Sequence, residues 1–326
     1  MQIKLLEILR CPKTNQKLNI KDAEYIDNQI ISGLLVSEDG NNQYPIHNFI
    51  PRFVPDSNYA DNFGIQWNMF RKTQLDSNSG HPISYERFWE ATGWPQDKMK
   101  DQWVLDVGCG AGRFAEIALN AGAIVIALDY SSAVDACFEN LKHHKNLHIV
   151  QGDIYSLPFQ KEFFPFVYSL GVLQHTPNVT KSFESLPPLV SNGGKLCIDV
   201  YWKRFRTMLH GKYVIRPFAR CISQKLLFKI LKKTVPTLLQ ISQLLGRIPK
   251  LGKILKRLIP IADYTGVFPL SDKQLKEWAL LDTFDNLSPR YDNPQSLITV
   301  RNWFQQADFK NIETFHCGHL VGRGNK

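Results

Sequence analysis

Val104 to Phe114 reads VLDVGCGAGRF. An apolar strand ends on an acid, Asp106, and the chain then turns through Gly108, Gly110 and Gly112. A helical pattern follows at once, with Phe114, Ile117, Ala118 and Ala121 at helical spacing. Glycine lets a backbone turn sharply and approach a ligand where a Cβ would clash. Such a loop opening a helix is a nucleotide-site signal. It is not the dinucleotide form, in which G-x-G-x-x-G aims helix N–H groups at a pyrophosphate. Here the third glycine comes one residue early, Arg113 follows it, and Asp106 would repel a pyrophosphate.

A carboxylate suits a ligand with a cationic amino group and a sulfonium, as S-adenosylmethionine has. A second acid, Asp129, ends the strand IVIALD, at about the ~20 residues expected for an acid that accepts from ribose hydroxyls. A third, Asp153, follows His148, Ile149 and Val150, placed to bond an adenine amino group with Ile154 against the ring.

On these residues the chain resembles the class I S-adenosylmethionine-dependent methyltransferases. Four ordered features carry the resemblance: DVGCGAG at 106–112, LDYS at 128–131, QGDIYSLPF at 151–159 and SLGVLQHTPN at 169–178. It implies an α/β fold with a doubly wound, mostly parallel sheet. It also implies S-adenosylmethionine as cofactor, with Tyr130 and Leu170 joining the three glycines and three acids around it. The residues alone predict strands near 103–107, 124–129, 147–151, 164–170 and 194–200, alternating with helices. Ligands of such sheets bind beyond the carboxyl ends of the strands.

His175, just past the fourth strand in LQHTP, is the best-placed general base; capping a helix or touching the cofactor are the rival roles. Tyr168, Tyr201, His210, His316 and His319 are weaker candidates. Methylases of exocyclic base amines usually place Asn/Asp-Pro-Pro-aromatic after the fourth strand. Ser169, Leu170, Gly171 and Val172 stand there instead, which lowers a nucleobase reading.

The flanks divide the rest. Residues 1–56 read as short strands and turns, resembling the small zinc-ribbon-like domain of some methyltransferases. Cys11 survives, Thr14 replaces the second ligand and the later pair is absent, so no metal is expected. Residues 57–103 form an aromatic bridge in which Phe63, Trp67, Phe70 and Arg71 share a helical face. Such a bridge would close over the cofactor with Arg71 near its carboxylate, or simply dock on the core. Residues 104–201 are the core, with NGG at 192–194 as a turn into the fifth strand. Residues 264–326 return to the core. There SDKQLKEWALL reads as a helix, LDTFDNLSPRYDNP as a loop and NIETFHC as an edge strand that the resemblance makes antiparallel. Asp282, Asp285, Arg290 and Tyr291 of that loop either line the acceptor pocket or staple a turn.

Residues 202–263 are unusual. Fifteen Lys and Arg fall between Asp199 and Asp263 without one acid, so this segment carries +15 and the remainder −6. Leu226, Leu227, Ile230 and Leu231 oppose Lys225, Lys229, Lys232 and Lys233, and Leu251, Ile254, Leu255 and Leu258 repeat the arrangement against Lys250, Lys253, Lys256 and Arg257. Pro236 and Pro249 are expected to separate the helices. Three roles compete: a helical lid on the core, an anchor on an anionic membrane surface, and a phosphate-binding arm for nucleic acid. Leucine favours the first two, and aromatic stacking residues are sparse.

Six scattered cysteines read as reduced thiols in a cytoplasmic protein, and no leader or uncharged span is apparent. The sequence thus predicts a methyltransferase for a small-molecule or lipid-linked acceptor, cytoplasmic or peripheral at the inner membrane face. The alternatives are an RNA methyltransferase and a silent methyltransferase-like subunit that recruits partners.

Overall fold

The computed structural model describes residues 1–55, 60–203, 211–249 and 251–326. Arg204, Arg206, His210 and Lys250 lie outside them, as do the side chains of Lys253 and Arg257.

Four antiparallel strands open the chain: β1 (Leu18–Ile26), β2 (Gln29–Ser37), β3 (Gln43–His47) and β4 (Ile50–Pro51), in that order across their sheet. Asp27 and Asn28 join β1 to β2 with φ of 48° and 60°. Two consecutive positive φ values match the twist of a tight hairpin, and Asp and Asn tolerate them best after Gly. Cys11 is buried, its Sγ 3.2 Å from Tyr44 Oη. Among the described residues no group of three His, Cys, Asp or Glu is placed to hold a metal.

Helices α1 (Asp61–Met69), α2 (Asp76–Ser79) and α3 (Ile83–Thr92) form the bridge. The core then alternates β5 (Trp103–Val107), α4 (Arg113–Asn120), β6 (Ile124–Asp129), α5 (Ala133–Leu141), β7 (Leu147–Gln151), β8 (Phe164–Leu170), α6 (Val179–Glu184) and β9 (Val190–Val200). The basic segment contributes α7 (Lys212–Ala219), α8 (Gln224–Gly246) and α9 (Gly252–Leu258). Helices α10 (Asp272–Leu287) and α11 (Leu297–Gln306) and strands β10 (Lys310–Cys317) and β11 (His319–Asn325) complete the chain.

The main sheet has the order β10-β11-β9-β8-β5-β6-β7. Strands β5 to β9 pair in parallel, and β11 is antiparallel to both β9 and β10. This is a doubly wound, mostly parallel Rossmann-like sheet. Alternation splits the core: Leu105, Val107, Ile126 and Leu128 pack on one face, Val104, Val125, Ala127 and Ile149 on the other. Both faces are covered, so the strands read as near-continuous apolar runs.

Four expectations are corrected. Strand β10 is the edge, but it runs parallel to β9, because the unforeseen β11 sits between them as the antiparallel strand. NGG lies inside β9, with Gly193 at φ +73°, rather than before it. Helix α10 runs through Leu287, so Asp282 and Asp285 are helical; Leu281, Phe284 and Leu287 are buried at helical spacing, and only Pro289 follows as a breaker. Pro236 lies within α8, where Leu227, Leu231, Val235 and Leu239 bury one continuous stripe. That burial outweighs the roughly 3 kcal/mol a helical proline costs.

Candidate active site

The carboxyl ends of β5, β6 and β8 open into a cavity of about 790 Å³. Its floor is the turn after β5, where Gly108, Gly110 and Gly112 have φ of 89°, 52° and 93°. A Cβ on Gly108 would lie 2.4 Å from Val172, and one on Gly112 would lie 2.6 Å from Leu141. Gly108 and Cys109 anchor the turn by donating backbone N–H to the Leu128 carbonyl.

Asp129 ends β6 and lines the cavity. Its Oδ2 accepts from Gly110 N at 3.0 Å, and its Oδ1 accepts from Ser131 N and Oγ. Burial pushes this carboxyl up, while those donors hold it back. Tyr130, Ile154, Leu170 and His175 also line the cavity.

Asp106 is placed differently. It lies behind the turn, 2 % exposed, in register beside Tyr168 on β8, and is not part of the cavity wall. Neither Asp106 Oδ2 nor Tyr168 Oη has a well-formed hydrogen bond, and burial pushes both groups well up. Asp153 caps a short turn by accepting from Tyr155 N at 2.9 Å and also stays out of the wall.

The bridge closes over the cavity through Phe63 and Trp67. A Cβ on Gly110 would lie 3.1 Å from Trp67 Nε1, so glycine lets the indole cover the turn. Arg71, expected here, points away from the cavity and pairs with Glu139 at 3.7 Å on the surface. The helix containing Trp67 ends at Met69, so Arg71 leaves the helical face that its spacing suggested.

Arg113 occupies the cavity instead. Its Nε donates to Ser84 Oγ at 2.7 Å and its Nη1 to Gln74 Oε1 at 3.0 Å. The guanidinium packs over the rings of Phe114 and Trp278. Burial and nearby Arg87 lower it to about 10, so it stays cationic at neutral pH. Its position directly after the glycine turn was the signal available in the sequence.

The far wall is polar. Arg87 Nη2 donates to Asp199 Oδ2 at 2.7 Å. Burial pushes Asp199 up, but Arg87 outweighs this and holds it below the usual carboxylate range. His319 is lowered to about 3 by burial and by Arg87, so it is neutral. Asp282 accepts from Gln74 Nε2 at 3.0 Å and from the Tyr264 hydroxyl. Burial, reinforced by Asp285, pushes Asp282 to about 6. Asp285 accepts from Tyr201 Oη and Gln66 Nε2.

Arg290 and Tyr291 do not line the cavity. Arg290 is exposed and stacks on Tyr291. The Tyr291 carbonyl, however, lies 3.0 Å from His175 Nδ1. A carbonyl only accepts, so Nδ1 is the donor here, and in the neutral tautomer the lone pair falls on Nε2. Phe63 and Tyr201 flank the imidazole. Tyr201, His316 and His319 also line the cavity; Tyr168 does not.

Residues 105–198 match the methyltransferase-domain family. A ubiquinone biosynthesis O-methyltransferase of Coxiella burnetii is 29% identical over 35% of this chain and 50% of its own length. A tRNA U34 carboxymethyltransferase of Pseudoalteromonas translucida is 29% identical over 37% of this chain and 40% of its own. The chain thus spans about half or less of the curated relatives it matches. The solved CurJ carbon methyltransferase is similar over 70% of this chain and 49% of its own, at 13% identity and a TM-score of 0.40.

Proposed function

We propose that the chain is an S-adenosylmethionine-dependent methyltransferase acting on a small-molecule or lipid-linked acceptor. One observation carries the reading: the glycine turn and Asp129 of the family-matched segment floor a large cavity beyond the strand ends. The residues present fit the cofactor. Asp129 offers carboxylate lone pairs to ribose hydroxyls. Ile154, Leu128 and Tyr130 supply an apolar wall for a base. Gly108, Gly110 and Gly112 keep the turn free of Cβ atoms, and Arg113 takes the anchoring role for the carboxylate that spacing had assigned to Arg71. Asp106 and Asp153 lie behind this site, Asp106 buried on the first core strand and Asp153 capping the short turn that carries Ile154.

The bound cofactor supplies an electrophilic methyl group, so catalysis is chiefly proximity and alignment. Phe63 and Trp67 exclude water above the turn. His175, with Nδ1 engaged, takes in its neutral form the tautomer whose Nε2 can accept a proton from an acceptor hydroxyl or amine. The region 264–326 forms the acceptor wall through Asp282 and Asp285, with Tyr291 positioning His175 through its carbonyl. Residues 1–55 pack on the core as a structural module.

Methyl-labelled S-adenosylmethionine, incubated with protein and cell extract, tests the reading. Label is expected in an extracted small molecule or lipid, and is lost in Asp129→Ala. Label only in RNA, or in nothing, overturns it.

A further inference from the structure

The apolar side of the basic helices is wider than the core can cover. On α8, Leu227, Leu231, Val235 and Leu239 are buried against Ala279, Phe284 and Leu287 of α10. A second set of apolar side chains on the same helix, Leu226, Ile230, Ile241 and Leu244, is exposed, and Ile248 just beyond its end is exposed as well. The four helical residues form two pairs on one face, Leu226 with Ile230 and Ile241 with Leu244, with exposed Thr234 and Thr237 between the pairs. Lys225, Lys229, Lys232 and Lys233 fill the remaining sector and are exposed, and Arg247 at the helix end is exposed too. The helix therefore has three faces: buried apolar, exposed apolar and basic.

Its neighbours repeat the feature. On α7, Val214 and Phe218 are 71% and 74% exposed, one turn apart. On and before α9, Leu251, Ile254 and Leu258 are exposed at helical spacing. Soluble surfaces scatter single apolar side chains; continuous exposed stripes mark an interaction site. No Asp or Glu occurs between Asp199 and Asp263. An ordinary solvated face mixes both signs. No helix among the described residues is long and apolar enough to cross a membrane.

We infer that the exposed face of α7 to α9 docks on an anionic lipid bilayer. Leucine, isoleucine and phenylalanine enter the acyl boundary while lysines and arginines meet anionic headgroups. RNA would use the charges but not the aliphatic stripes. The placement also bears on the acceptor, a step that rests on the methyltransferase reading above. Lys212 and Tyr213 line the cavity from the same helix that exposes Val214 and Phe218. Docking α7 brings this rim of the cavity to the headgroup layer, so the acceptor is an amphiphile whose polar part receives the methyl group.

The full chain is sedimented with vesicles of phosphatidylglycerol and phosphatidylcholine, and with phosphatidylcholine alone. Binding is expected to the anionic vesicles, to fall with salt, and to resist competition by structured RNA. Val214→Ser with Phe218→Ser, and separately Lys229→Glu with Lys233→Glu, should each weaken it about tenfold or more. Lys229→Arg with Lys233→Arg should bind as the parent does. Calorimetric binding of S-adenosylmethionine should be unchanged in every variant, and its absence in the parent would defeat the methyltransferase reading without touching the vesicle result. Failure to bind anionic vesicles, displacement by RNA, or indifference to both variant pairs overturns the docking surface. Methyl label appearing only in water-soluble products overturns the amphiphilic acceptor.

Discussion

Arg113 and Arg71 show how one position decides a site. Both flank the glycine turn in space, but only Arg113 lines the cavity, held by neutral partners Ser84 and Gln74. A half-buried cation in a cavity wall whose hydrogen-bond partners are neutral is poised for an anionic ligand group. Arg113→Gln should weaken S-adenosylmethionine binding about tenfold or more by calorimetry, as expected for a lost charge-assisted hydrogen bond; Arg71→Gln should leave it within twofold. Asp282 makes a second prediction. Its folded pKa, about 6, lies above the unfolded value, so the folded state holds the proton more tightly. The protein therefore loses stability as pH rises from about 4 to 6, by roughly 2 kcal/mol. Asp282→Asn does not titrate. Its unfolding free energy relative to the parent should rise across that window and level off above it; a flat difference in denaturant titrations refutes the assignment.

Elements were legible where period and punctuation agreed. Four of the five core strands match their expected bounds, because apolar runs between turn residues leave little choice. Strand β11 was hidden by Gly322 and Gly324, which weaken a strand pattern. Their reason is packing: a Cβ on Gly322 would lie 2.5 Å from Val300 and 2.9 Å from Phe304 of α11. The continuity of β9 through NGG and of α8 through Pro236 was hidden because turn residues can sit inside elements held by their neighbours. At the site, Gly108 to Gly112, Asp129, Ile154 and His175 could be read from motifs. Arg87, Gln74 and Trp278 reach the cavity only by tertiary packing, and nothing in their local sequence marks them. Helix α10 joins two functions, carrying Asp282 and Asp285 to the cavity and Phe284 to the basic helices. Phe284 is 1% exposed and packs edge-on with Phe228. Phe284→Ala should cost about 3–5 kcal/mol in denaturant unfolding and expose the α8 contact to proteolysis. An unchanged midpoint would mean α8 is not anchored there.

Over the whole molecule, charge and core are partitioned. Residues 1–55 do not form a separate core: Leu5, Ile8, Leu9 and Leu35 share one cluster with Leu105, Ile126 and Val167 of the main sheet. Arg52 ties this module to α5 through Asp135 at 2.7 Å. The expected small module is thus a buttress for the strands whose ends form the cavity floor. The segment that carries all the net positive charge packs on α10 through one apolar stripe and leaves other apolar side chains exposed. The glycine-floored cavity is lined by Lys212 and Tyr213 of this segment together with the strand ends. Its most direct test is calorimetric titration of the full chain with S-adenosylmethionine, beside Asp129→Ala. One saturable site per chain is expected, weakened about tenfold or more in the variant. Absence of binding to the parent, or equal binding to both, would contradict it.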